Sequence, residues 1–332
     1  MTRVPGALQH EVLLCRPGTP VALLTMKRET GVPDQQCTAP LRAALHPGHA
    51  ENAEMTPLPD AGFLSIGPHT LEYRMIGPRP DAAPTLVLLH EGLGCVGLWG
   101  DFPERLASAT GFGVFAYSRA GYGQSSPVPL PRPFSYMHDE AKETLPQIFD
   151  TIGFRSGLLI GQSDGASIAA LYAGSVADHR VRGLVLIAPH FIVEDCTKAA
   201  AKAAREAYTT GDLRARLARW HAHVDVAFHG WNDCWVTDEF QREWNTLEEL
   251  AYIRVPMLIM QGELDQYGTV RQIEIAQEEC YCPVEVALMP GIGHAPHREA
   301  PEAATATVAE FADRVLRRHE GAAGEAGGNA NG

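Results

Sequence analysis

Three residues far apart in the chain have the types needed for nucleophilic acyl transfer, and each lies within three residues of a glycine. Ser163 is the centre of Gly161-Gln162-Ser163-Asp164-Gly165. The string directly follows the apolar run Gly157-Leu158-Leu159-Ile160 and directly precedes the helix-forming run Ala166-Ser167-Ile168-Ala169-Ala170-Leu171. A serine on so sharp a strand-to-helix turn takes strained backbone angles, and side chains at the flanking glycines would collide with the neighbouring strand and helix. The turn exposes the hydroxyl with a helix N-terminus beneath it. The plainer reading of Ser163 is a cap for the following helix.

A serine hydroxyl needs a base to take its proton, and that base needs a carboxylate to orient it. His294, in Gly291-Ile292-Gly293-His294, follows the last apolar run and suits the base. His297 competes with it, but beside Arg298 and Glu299 it reads as a solvent-facing residue at the start of the final helix. Gly262-Glu263-Leu264-Asp265 offers two carboxylates, of which Asp265 is preferred because it stands three residues beyond the glycine that ends the strand. The developing oxyanion also needs backbone N–H donors. Asp164 would supply one, and the His90-Glu91-Gly92-Leu93-Gly94 loop the other, from Gly92 or, second, from Leu93.

Positioning these residues requires a sheet whose strand ends converge. Short apolar runs at Thr85–His90, Val114–Ser118, Gly157–Gly161, Gly183–Ala188, Pro256–Gln261 and Val284–Met289 alternate with helix-length stretches. Those stretches are Leu98–Thr110, Tyr136–Ile152, Gly165–Ala177, Thr269–Glu279 and Glu299–Arg318. This alternation predicts a parallel sheet covered by helices. A hairpin over Gly62–Gly67 and His69–Gly77 brings the expected strands to eight.

Residues 190–250 break the rhythm with mostly helical character and the tryptophans Trp231, Trp235 and Trp244. A lid over a pocket is the functional reading, with Trp231 and Trp235 as pocket candidates. The plainer one is that the tryptophans fill the insertion's own small core. Residues 1–54 lack periodicity and read as a loose, disordered extension, or as sequence upstream of a start at Met55. The core is then 55–189 with 251–318, and 319–332 is expected to be a disordered tail.

Composition narrows the partners. A net charge of -13 over 332 residues, with no Lys/Arg-rich stripe, argues against a nucleic-acid binder. No apolar run reaches membrane-spanning length and no secretory signal opens the chain, so no membrane role is expected. Seven cysteines, an odd number, read as reduced thiols of a cytoplasmic protein. Cys280 and Cys282 lack a second pair at zinc spacing, so no metal is expected, and the chemistry calls for no cofactor.

The stretch Thr85–Val315 resembles the α/β-hydrolase superfamily through the Ser163 turn, the His90-Glu91-Gly92 loop and Arg119-Ala120-Gly121-Tyr122-Gly123-Gln124-Ser125. Its chain order, serine then acid then histidine, is the order this fold uses. The resemblance is to lid-bearing cytosolic members that include esterases, lactonases, carbon–carbon bond hydrolases and proline iminopeptidases. It implies a mostly parallel eight-stranded sheet flanked by helices, with a helical lid. A serine nucleophile speaks against the relatives that use aspartate, the haloalkane dehalogenases and epoxide hydrolases.

Two residues depart from the family pattern. Glu91 replaces a usual glycine, and Asp164 a usual small or apolar residue. Either both face the substrate and favour a neutral or cationic acyl group, or each only accepts backbone hydrogen bonds. The activity expected is hydrolysis of a small carboxylic ester or lactone, by a monomer or homodimer. Carbon–carbon or amide hydrolysis on the same residues is one alternative, and a catalytically silent ligand-binding module is another.

Overall fold

The computed structural model describes residues 24–25 and 58–327. Nine strands form one sheet: β1 (Leu24–Thr25), β2 (Ala61–Ile66), β3 (His69–Ile76), β4 (Thr85–Leu89), β5 (Gly113–Tyr117), β6 (Gly157–Gln162), β7 (Val181–Ile187), β8 (Met257–Gly262) and β9 (Val284–Met289). Their order is β1-β9-β8-β7-β6-β4-β5-β3-β2. The six strands β4 to β9 run parallel, while β2 pairs antiparallel with β3, β3 with β5, and β1 with β9. Strands β2 to β9 are the eight the sequence predicts. Apart from β1, the expectation for residues 1–54 lies outside the described residues.

The helices are α1 (Phe102–Thr110), α2 (Tyr136–Asp139), α3 (Leu145–Ile152), α4 (Asp164–Ser175), α5 (Asp195–Thr209), α6 (Leu213–Leu217), α7 (Val224–Trp235), α8 (Asp238–Glu243), α9 (Leu247–Leu250), α10 (Arg271–Glu279), α11 (Pro296–Glu299) and α12 (Pro301–Gly327). One continuous helix was expected over Tyr136–Ile152. Instead a π-helical turn at Glu140–Thr144 joins α2 to α3. There Glu140 accepts a 2.6 Å hydrogen bond from the Tyr117 hydroxyl, a buried polar contact that accompanies the widened turn. The last helix, α12, runs to Gly327, into the Ala- and Glu-containing stretch expected as a tail from residue 319.

The period of two along β4 sorts its side chains between two cores. Leu86 and Leu88 meet Phe102 and Leu106 of α1 and Phe311 of α12, whereas Val87 and Leu89 join Ile148 of α3 and Leu171 of α4. Because helices cover both faces, the central strands carry no polar side: β4, β5, β6 and β8 are buried throughout. The carboxyl ends of β4, β6, β7, β8 and β9 are thereby fixed side by side.

Residues 190–250 leave the sheet after β7 and return at β8 as five helices, α5 to α9. They have a core of their own: Tyr208 stacks on Phe228 at 3.6 Å between ring centroids, and Trp235, Phe240 and Trp244 lie within 5.7 Å of one another. No helix of the described residues is long and apolar enough to cross a membrane.

Candidate active site

Ser163 takes a left-handed φ of 52° between β6 and α4, the conformation expected of a strained strand-to-helix turn. The flanking glycines are sterically required. A Cβ on Gly161 would overlap the Gly165 carbonyl, and one on Gly165 would overlap the Leu89 carbonyl and stand 2.8 Å from the His90 oxygen. The serine is thus held at the end of the sheet by two close backbone approaches. Its own side chain makes no cap hydrogen bond to the helix.

His294 and Asp265 come together from the loops after β9 and β8. His294 Nδ1 lies 2.8 Å from both Asp265 carboxylate oxygens. Burial pushes the Asp265 carboxyl up, but the His294 hydrogen bond and charge and the Tyr267 N–H together hold it below the usual range. Asp265 also accepts from the Tyr267 N–H at 2.8 Å and the Gln261 amide at 2.7 Å, so its orientation does not depend on the imidazole. Glu263, the competing carboxylate, is exposed.

Ser163 and His294 line one cavity of about 180 Å³. No hydrogen bond joins the Ser163 hydroxyl to the imidazole among the described residues. Gly92, Leu93 and Asp164 line the same cavity, as do Glu91, Trp231 and Trp235. The His90–Gly94 loop turns back on itself, with the Gly94 N–H on the Glu91 carbonyl at 3.1 Å, which leaves the Gly92 and Leu93 N–H groups out of that turn. The Asp164 N–H, at the first residue of α4, has no intrahelical acceptor.

The expectation that Asp164 only accepts backbone hydrogen bonds needs correction. Its carboxylate is bonded by a side chain instead. Tyr136 donates to Oδ2 at 2.6 Å, and the Arg119 guanidinium lies 4.0 Å from it. Burial raises its pKa against the pull of Arg119. Glu91 keeps its place in the cavity wall with no ion pair among the described residues, and burial raises its pKa too. His297 is also corrected. It is buried at the start of α11 with its ring 5.0 Å from Trp99 and 5.3 Å from Phe102, because that turn packs onto α1 rather than facing water.

Several site residues escaped the sequence reading. Arg119 donates to the His90 and Glu91 carbonyls, while its own N–H reaches His90 Nε2 at 3.0 Å, so it braces the loop that would hold an oxyanion. The glycine-bearing turn Arg119–Ser125 was the available signal. His190 follows β7, is 2% exposed, and has its ring 5.8 Å from that of His294. Burial and the neighbouring His294 push its pKa down to about 3. Nothing in the local sequence marks it.

Polar contacts join the insertion to the core at several places, among them the loops that line the cavity. His221 Nδ1 accepts the Gly123 N–H at 2.9 Å, and its Nε2 lies 3.0 Å from the Leu93 carbonyl. Thr197 donates to the Tyr267 carbonyl. Trp235 donates to the Tyr136 hydroxyl at 2.9 Å.

A model of the alpha/beta hydrolase family matches residues 86–308. The chain belongs to that family. A curated relative of this alpha/beta hydrolase is the proline iminopeptidase of Lactobacillus helveticus (strain DPC 4571), 30% identical over 114 residues, which are 34% of this chain and 38% of that relative. The aligned part therefore spans well under half the length of that relative. Among solved structures, the proline iminopeptidase of Mycobacterium smegmatis superposes with a TM-score of 0.58 at 20% identity, over 79% of this chain and 99% of the other. The enol-lactonase of Burkholderia xenovorans LB400 does so with a TM-score of 0.57 at 21% identity, over 75% and 99%. At these identities the likeness is one of fold. Among the described residues no group of three or more His, Cys, Asp or Glu is arranged to hold a metal.

Proposed function

We propose that this alpha/beta hydrolase cleaves a small carboxylic ester or lactone through an acyl-enzyme on Ser163. The observation that carries the reading is the convergence of Ser163 and an Asp265-held His294 on one small cavity. His294 takes the Ser163 proton as the hydroxyl attacks the carbonyl carbon, and the serine–imidazole hydrogen bond forms as the substrate settles. The N–H groups of Gly92 or Leu93 and of Asp164 stabilise the tetrahedral oxyanion. His294 then protonates the departing alkoxide. A water molecule, deprotonated by the same imidazole, attacks the acyl carbon and frees both the acid and Ser163. The helical insertion serves as the lid, and the free thiols suit a cytoplasmic setting.

The size of the cavity favours a compact acyl group, since the walls contributed by Trp231, Trp235 and Tyr267 leave about 180 Å³. Amide hydrolysis is the second reading, favoured by the partial match to proline iminopeptidases. The test is a panel of p-nitrophenyl esters and small lactones against proline naphthylamide, with Ser163→Ala as the control. Turnover of esters or lactones that disappears in Ser163→Ala supports the first reading. Turnover of the naphthylamide alone replaces it with the second, and an active Ser163→Ala removes the nucleophile.

A further inference from the structure

We propose that Trp231 is a catalytic residue, its indole N–H reaching from the helical insertion to hydrogen-bond the oxygen of the reacting carbonyl. The inference rests on the acyl-transfer reading above and adds a third donor to the two backbone ones. Trp231 lies on α7, 6% exposed, and lines the cavity together with Ser163 and Gly92. Its polar edge faces the oxyanion loop. A Cβ built on Gly92 would overlap Trp231 Cδ1 and Nε1 and come within 2.9 Å of Cγ, so the pyrrole edge rather than the benzo edge is pressed against that glycine.

The four tryptophans buried in the core divide by what their N–H groups do. Trp235 donates to the Tyr136 hydroxyl, and the N–H groups of Trp99 and Trp244 are sealed away from solvent without a partner. The Trp231 N–H has no hydrogen-bond partner among the described residues and is not sealed, which leaves the cavity as the place it addresses. An indole N–H is a donor only, so its ligand must be an acceptor. The Glu91 carboxylate shares the cavity, yet it is folded back over Gly94, where a Cβ would come within 2.7 Å of its carboxyl carbon. A substrate carbonyl seated between Ser163 and Gly92 would present its oxygen to this N–H, and that oxygen gains charge as Ser163 attacks. A donor beside Gly92 is therefore stronger toward the transition state than toward the ester.

The packing also explains why position 92 is glycine. Any side chain there would displace the indole from the loop.

The experiment uses the full chain and an alkyl fluorophosphonate, which phosphonylates the serine through an addition that needs the same oxygen stabilised. Trp231→Phe keeps most of the ring and removes the donor. The expected result is a loss of about ten- to a hundredfold in the phosphonylation rate, with a parallel loss in kcat for p-nitrophenyl acetate and KM within about twofold. A changed KM with kcat and phosphonylation at wild-type values makes Trp231 a wall and overturns the inference. A wild-type protein that resists phosphonylation at Ser163 removes the acyl-transfer reading and the inference with it. A second measurement covers repacking in the variant. The indole N–H resonance absent from Trp231→Phe should move downfield in the wild-type protein when a trifluoromethyl ketone adds to Ser163, and a resonance that stays in place overturns the assignment.

Discussion

The Asp265 carboxylate faces His294 Nδ1 symmetrically, at 2.8 Å from each oxygen, while backbone N–H groups of its own loop hold it from behind. A carboxylate so placed accepts from every side. Asp265→Asn turns an N–H toward donors and favours the wrong imidazole tautomer, so kcat for an ester should fall by roughly 10³ to 10⁴. Glu263 is exposed, and Glu263→Gln should leave kcat within about twofold. Steady-state kinetics of both variants settle the ranking, and a larger loss in Glu263→Gln would transfer the acid role.

Two glycines make opposite predictions. Gly165→Ala drives a methyl group into the Leu89 and His90 carbonyls, which belong to a central strand and its exit, and should cost about 3 kcal/mol of stability, the upper end of what overpacking costs. Gly92→Ala meets a side chain that can give way, so the fold should survive with a melting temperature within a few degrees of wild type. Activity should nonetheless fall by about tenfold or more as the Trp231 indole is pushed off the loop. Circular dichroism melts paired with ester kinetics separate the two outcomes, and an active Gly92→Ala would deny the indole its place.

Buried neutral imidazoles make stability depend on acid. His190 and His297 are each lowered from 6.5 to about 3, chiefly by burial. Between those values the unfolded chain binds protons that the folded chain does not, so stability rises with pH across the window and is lost as pH falls below about 6.5. At pH 4.5 each histidine should remove about 2–3 kcal/mol relative to pH 7. Urea midpoints measured from pH 7 to pH 4.5 should decline accordingly. His297→Phe, which keeps the contact with Trp99 and Phe102, should lessen the decline by about 2–3 kcal/mol at pH 4.5; an unchanged slope would show that His297 titrates normally.

Asp164 is a buried carboxylate whose close hydrogen-bond donor is the Tyr136 hydroxyl. Tyr136→Phe removes that donor and also the acceptor of the Trp235 N–H. The expected loss is about 1–3 kcal/mol, toward the upper end because two buried polar groups are orphaned together. Equilibrium urea unfolding measures it, and a wild-type midpoint would mean that Arg119 alone compensates Asp164.

The strands and the Ser163 turn were legible because each is written locally. An apolar run bounded by glycine has few alternatives in a sheet covered on both faces, and Gly161 and Gly165 report two backbone contacts by their lack of side chains. His297 misled for the same local reason: its charged neighbours Arg298 and Glu299 said surface, while α11 rotates the ring onto Trp99 and Phe102. Asp164 was misread because its partners, the Tyr136 hydroxyl at the start of α2 and the Arg119 guanidinium after β5, arrive from distant parts of the chain. His190 and His221 gave no signal at all, since a lone histidine shows its partners only after the insertion has packed on the sheet.

The insertion is tied down at Leu93 and Gly123 through His221, at Tyr267 through Thr197, and at Tyr136 through Trp235. Swinging it away as one flap would break bonds to separate elements simultaneously, and one of them, at Leu93, belongs to the loop that shares a cavity with Ser163. It behaves as a roof bolted at its corners rather than a hinged door. On the proposed reading, a substrate would have to enter beneath a fixed roof, and bulk would be turned away during that passage rather than at the reacting bond.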